Sequence, residues 1–176
     1  MKPRLLLLAL LLSEIFAVSQ TVEKAYPVPE FNNKPAYLNA KTNSLVDLEK
    51  SSYNVFSKMT GFGVAGAGFF LEGASSPVKI AKAEELQFIV KVASGDDPTS
   101  VLDLVAFTVK KNKRLLLTSE ASGWTGSSKS SYKKIPYEVK RIGQDVYLLS
   151  VKNLSSGEYF WGSSTFMFAF NVTILN

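Results

Sequence analysis

The sequence predicts an all-β fold, and three observations carry that reading. Apolar residues recur at every second position over the best-patterned stretches. Clusters of Gly, Asp, Asn, Ser and Pro stand between those stretches, where chain reversals need them. Almost no part of the body carries the period of an amphipathic helix. Short strands at this spacing predict a β-sandwich rather than a parallel sheet.

The chain opens on a different pattern. Met1-Lys2-Pro3-Arg4 is a short basic start, and Leu5 to Leu12 is a run of Leu and Ala. Ala17-Val18-Ser19 places small residues where a signal peptidase reads. Residues 1–19 are therefore expected to be a signal-peptide helix, with Gln20 as the mature start. The run falls short of the ~20 apolar residues of a spanning helix, and Glu14 interrupts it. No Cys follows it to take a lipid, and no later stretch is long and apolar enough to span a membrane. The expected location is extracytoplasmic: periplasm, cell surface or medium.

Residues 20–43 are expected to form an extended arm. Pro27, Pro29 and Pro35 alternate with Tyr26, Phe31 and Tyr37, without strong periodicity. Such an arm packs along the sandwich, links it to the membrane side, or presents an aromatic strand to a partner. Residues 44–176 are assigned to the sandwich domain. Gly61, Gly63, Gly66 and Gly68 precede Phe69-Phe70-Leu71, a density that argues against helix. A phosphate loop is excluded there, since neither a Lys-Ser/Thr pair nor a helical pattern follows.

Strands are predicted next over Leu86–Val92, with Leu86, Phe88, Val90 and Val92 inward, and over Val101–Val109. The segment 94–100 between them reads as a loop. Val109–Leu115 and Ile142–Val146 read as β-hairpin connections. Gly123–Ser131, rich in Gly and Ser, reads as a polar loop. Ile135–Arg141 alternates and carries Pro136, which suits an edge strand, and Val146–Val151 follows it. Phe166, Phe168, Phe170, Val172 and Ile174 are expected to form one buried row, with Met167, Ala169, Asn171 and Thr173 facing away. Leu154-Ser-Ser-Gly-Glu-Tyr159 resembles the Leu-x-x-Gly-x-Tyr corner of immunoglobulin-like sandwiches, which points to a Greek-key arrangement.

The 176 residues suffice for one domain, and they include no His and no Cys. Ser-His-Asp and Cys-His catalysis in their usual forms are thereby removed, as are ordinary zinc, haem and iron–sulfur sites and every disulfide. No cofactor or metal is expected. Signal cleavage takes Lys2, Arg4 and Glu14 from 20 basic and 15 acidic residues, leaving a net charge near +4. Export argues against a nucleic-acid partner. The basic run Lys110–Arg114 reads as a solvated hairpin end or as an attraction to anionic polysaccharide or lipid head groups.

Asn32-Asn-Lys-Pro-Ala-Tyr-Leu38, Gly73-Ala-Ser-Ser-Pro-Val-Lys79, Asp96-Asp-Pro-Thr-Ser100, Gly157-Glu-Tyr-Phe160 and Phe166-Met-Phe-Ala-Phe170 occur in that order. On these segments the chain resembles a group of exported bacterial proteins of Bacteroidetes type and unassigned function. The resemblance implies a small extracytoplasmic β-sandwich; it brings no established catalytic or binding residues, and nothing about activity carries over from it.

Among acid/base candidates, Asp96-Asp97 and Glu84-Glu85 are adjacent pairs whose side chains diverge, unlike the opposed carboxyls of a glycosidase. Asp96-Asp97 reads as an Asx turn rather than a calcium loop, because the alternating acidic ligands are missing. No catalytic residue is therefore assigned. Trp124 stands in a polar loop, where a large ring either folds back or serves a partner. Trp124, Lys129, Tyr132, Lys133 and Lys134 are the candidate binding residues, suited to an envelope polysaccharide. Trp161, beside Phe160, is expected in the core, and Glu158 is expected to be bonded locally at a strand start. Asn153-Leu-Ser155 and Asn171-Val-Thr173 match the glycosylation sequon and are read as chance. The expected function is a non-enzymatic binding or structural module of the cell envelope. The alternatives are an accessory subunit of an envelope assembly and, last, a carboxylate hydrolase.

Overall fold

The computed structural model describes residues 25–59, 64–122, 127–130, 132–162 and 166–174. The expected signal peptide lies outside the described residues. The strands are β1 (Ala36–Asn39), β2 (Ser44–Asp47), β3 (Glu49–Ser51), β4 (Asn54–Met59), β5 (Val64–Glu72), β6 (Lys79–Ala81), β7 (Glu85–Lys91), β8 (Asp103–Ala106) and β9 (Thr108–Lys110). They continue with β10 (Lys113–Ser122), β11 (Ser127–Ser130), β12 (Glu138–Gly143), β13 (Val146–Lys152), β14 (Gly157–Gly162) and β15 (Met167–Thr173). One helical turn, α1 (Pro98–Val101), interrupts them. No described helix is long and apolar enough to cross a membrane.

The strands form three sheets, where a sandwich of two was expected. The first runs β12-β13-β7-β1-β2, the second β3-β15-β14-β8 with β6 beside β15, and the third β11-β10-β5-β4 with β9 also on β10. Every strand pair is antiparallel except β6 with β15.

The second sheet is the middle layer. One face meets the first sheet: Phe88, Val90 and Leu149 pack there against Tyr159, Trp161, Phe168, Phe170 and Val172. Its other face meets the third sheet, with Phe160, Met167 and Ala169 against Leu71 and Leu116. This double cover corrects the expected outward face of β15, because Met167 and Ala169 are buried. Tyr159–Trp161 and Met167–Phe170 are accordingly buried on both faces, where the alternation predicted one outward face for β15. The inward row itself is shorter than expected. Phe168, Phe170 and Val172 are buried, but Phe166 is 37% exposed and Ile174 is 69% exposed, so burial is lost at both ends of the row.

The expected boundary at residue 43 falls inside the β1–β2 hairpin, and β1 is an interior strand of the first sheet. Buried Pro29 and Pro35 hold the segment before β1, and Tyr26 packs on the outer face of the first sheet with Leu38, Ile89 and Leu148. Apolar side chains from residues 25–38 thus cover a face that would otherwise meet water.

Other expectations divide along physical lines. The Val109–Leu115 hairpin forms, with Lys111 and Asn112 at positive φ, as a two-residue type I′ turn requires. The expected strand 101–109 is broken instead: Val101 ends α1, β8 joins the second sheet, and β9 joins the third. The expected loop 123–131 ends in strand β11, paired with β10. In the 94–100 loop, Asp97 caps α1 by accepting from Thr99 N at 2.9 Å and from Thr99 Oγ1 at 2.8 Å. The backbone bond from Thr99, then its hydroxyl, lowers the exposed Asp97 carboxyl. Gly68 is required by close approach: a Cβ there would sit 2.1 Å from the Leu116 carbonyl oxygen.

Tyr159 lies on β14 and bonds back into the connection from β13 of the first sheet. Its hydroxyl donates to the Ser155 carbonyl at 2.9 Å, and burial raises its pKa.

Candidate functional site

Two neighbouring clefts open beside the segment 31–34. That segment is anchored by Asn33, whose backbone N–H donates to the Lys91 carbonyl at 2.7 Å, and by a bridge between Asn32 and Lys91. Asn33 adopts φ +57, a left-handed conformation that Asn tolerates better than most residues. Its side of the fold borders both clefts.

The larger cleft, about 600 Å³, lies between the second and third sheets. Phe69, Tyr132 and Phe160 supply aromatic walls, while Ser100, Asp103 and Thr118 supply polar groups. This mixture and size suit a small ligand or one unit of a polymer. Asp103 is the carboxylate on its wall among the described residues, and Lys134 Nζ holds it at 2.9 Å. The hydrogen bond to Asp103, reinforced by its charge, raises the pKa of Lys134. Tyr137 lines a smaller pocket with Asp103 and Lys134. Its hydroxyl donates to the Leu102 carbonyl at 2.7 Å, and burial, with the negative Asp103 and Asp97 nearby, pushes its pKa up to about 12.

The second cleft, about 550 Å³, has Phe31, Lys34, Lys50 and Phe166 around a floor that includes Phe168. Phe31 is 57% exposed. Lys34 Nζ lies 5.8 Å from the Phe31 ring centroid, and Lys50 Nζ lies 4.3 Å from that of Phe166. Lys34 also pairs with Asp47 at 2.7 Å.

No family model and no curated protein matches the chain.

Of the five residues expected to bind, Tyr132 lines the larger cleft and Lys134 reaches it through Asp103. Lys133 is exposed. Trp124 lies outside the described residues, as does the side chain of Lys129, whose backbone pairs with Glu120. Sequence reasoning missed Lys34, Lys50 and Phe166. The alternating row placed Phe166 in the core, and period alone does not say where burial along the row ends. Phe31 did carry a signal, as one of the aromatic residues spaced between prolines.

Other polar groups serve the framework. Arg114 was expected at a solvated hairpin end, yet it is only 2% exposed. Its guanidinium donates to both Glu49 oxygens at 2.6 and 2.8 Å, to Glu72 O at 3.1 Å and to Gly73 O at 3.2 Å. Burial alone would raise the Glu49 carboxyl. The hydrogen bonds of Arg114, Ser76 and Ser51, with the guanidinium charge, outweigh it and hold that carboxyl below its usual value. Glu158 is buried and bonded, though not locally: Ser75 Oγ donates at 2.5 Å, Ser76 N at 2.8 Å and Asn171 Nδ2 at 2.6 Å. Lys79 donates in turn to Ser75. Asn171 of the second sequon is thus a partner of Glu158. Trp161 is fully buried, and its indole nitrogen is without a hydrogen-bond partner among the described residues. Among the described residues, no three acidic side chains converge as a metal site requires.

Proposed function

We propose that the protein is an exported, non-enzymatic binding module of the cell envelope, and that the clefts beside segment 31–34 are its contact site. The observation that carries this reading is the pair of exposed rings, Phe31 and Phe166, bordering one cleft with a lysine over each. Large rings left in water contribute little to folding, and a flat ring matches the apolar face of a sugar or a partner's side chain. Export rests on the basic start, the Leu run and Ala17-Val18-Ser19. The immunoglobulin-like reading of the first two sheets rests on the Tyr159 corner.

Pull-down from native envelope tests the contact site, with wild type compared against Phe31→Ser/Phe166→Ser and the captured protein and sugar both analysed. Wild type should capture material that the double variant loses. Identical captures would refute the assignment. Native protein should begin near Gln20 and be found in the extracytoplasmic fraction; an intact Met1 would refute export.

A second reading, an accessory subunit that adds a strand to a partner, draws on β4. This six-residue strand lies at the edge of the third sheet, and its Val55 is 70% exposed. Its backbone would then pair with a strand of the partner, and the pull-down would capture protein independently of Phe31.

A further inference from the structure

We infer that the Phe31–Phe166 cleft is a subsite for an acidic polysaccharide, one whose sugar rings bear carboxylate or sulfate groups. The inference rests on the proposed binding role and adds the chemical class of the ligand. The two rings supply platforms for the C–H face of a pyranose. The ammonium groups stand close to those same rings, at 5.8 Å for Lys34 on Phe31 and 4.3 Å for Lys50 on Phe166. Each ammonium lies over its ring, so a sugar unit entering the cleft meets aromatic surface and positive charge together.

The two lysines differ in availability. Lys34 already pairs with Asp47, whereas Lys50 has no carboxylate partner among the described residues. Lys50 is therefore the main charge offered to a ligand. No carboxylate among the described residues lines this cleft to repel an acidic one. Asn32 and Asn33 add amide groups for sugar hydroxyls. The site is also held in place before a ligand arrives. Pro29 and Pro35 are buried on either side of segment 31–34, the Lys91 bond pins its middle, and buried Phe168 forms the floor. Such preorganisation lowers the entropy lost on binding.

Affinity electrophoresis of the full chain through gels containing polygalacturonate, dextran sulfate or neutral dextran tests the assignment. Wild type should be retarded by an acidic polymer and not by dextran, and the retardation should shrink as salt rises from about 0.05 to 0.3 M. Lys50→Gln should weaken acidic binding about fivefold, the loss of one partly exposed ion pair, and Phe31→Ser should weaken it at least as much. Lys110→Gln, on the exposed β9 hairpin, should leave it unchanged. Melting curves establish that each variant is folded.

Equal losses from Lys110→Gln and Lys50→Gln would overturn the assignment in favour of diffuse charge. Absence of binding to both acidic polymers would overturn it as well. If dextran alone is bound through Phe31, the ligand is a neutral glycan: the acidic assignment falls and the binding role stands. If Phe31 instead governs capture of an envelope protein, the glycan assignment falls and the binding role again stands. If Phe31→Ser and Phe166→Ser change neither glycan binding nor envelope capture, both fall together.

Discussion

Removing Glu49 should destabilise the fold more than removing Glu49 and Arg114 together. Arg114 lies on β10 of the third sheet and Glu49 on β3 of the second, so their pair joins two layers. The guanidinium makes four hydrogen bonds from a site only 2% exposed. Glu49→Leu removes the countercharge and leaves two backbone carbonyls to hold a buried cation, a loss of about 3–5 kcal/mol. Arg114→Met/Glu49→Leu removes both charges and should cost far less, because an apolar pair of similar volume needs no desolvation of ions. Urea melts followed by tryptophan fluorescence measure the difference. A double variant no more stable than Glu49→Leu would refute the claim that the stranded charge dominates. The pair also sets an acid limit. The folded Glu49 carboxyl titrates below its usual value of 4.5, so its contribution is present above that pH and is lost as pH falls through the folded value. Glu49→Gln should lack this part of the acid loss, and an unchanged acid limb would exclude Glu49 as its source.

The clipped row in β15 predicts that Phe168→Ala costs about 3–5 kcal/mol in urea, while Phe166→Ala costs under about 1 kcal/mol. Equal losses would mean that Phe166 is core. Tyr159→Phe removes only the bond to Ser155 and should cost about 1 kcal/mol, read from the same melts; no change would show that the corner bond is dispensable. Gly68→Ala should cost about 3 kcal/mol or more, since its Cβ meets a backbone oxygen that moves only with β10; a neutral result would disprove the close approach. Tyr137 favours its neutral form when folded, so its contribution is complete below pH 10 and is lost as pH rises toward about 12. Tyr137→Phe should flatten that alkaline decline in thermal melts, and an unaltered decline would place its source elsewhere.

Strand positions that obey local rules were legible in the sequence. Leu86, Phe88, Val90 and Val92 alternate because that face of β7 lies in the largest apolar cluster, while Ile89 is buried on the other face. Ile142–Val146 and Val109–Leu115 reverse where Asp145, Lys111 and Asn112 adopt positive φ. Tyr159 was found by a six-residue motif whose hydrogen bond spans only four positions. The middle layer was not legible, because alternation presumes one wet face and β15 has none over Phe168–Phe170. The third sheet was hidden for a similar reason: Gly66 and Gly68 look like breakers until β4 and β10 pair on either side of them. Of the candidate site, Tyr132 borders the larger cleft and Lys134 reaches it through Asp103, Phe31 was visible as an aromatic of the arm, and Phe166 was placed in the core. Phe166 and Phe168 are alike in sequence, and only the extent of the neighbouring layer separates them.

The pairing of β15 sets an order in time. It is the latest of the described strands along the chain, yet β14 lies on one side of it while β3 and β6 share the other. Strands made early therefore wait for a late one, and about 120 residues separate Glu49 from its partner Ala169. Pairings of such long range form slowly. Until β15 arrives, the Phe88–Trp161 contact between β7 and β14 lacks the Phe168 and Phe170 side chains that complete its cluster. The local hairpins β1–β2 and β12–β13 form without β15, and completing the second sheet is the pairing of longest range in the fold.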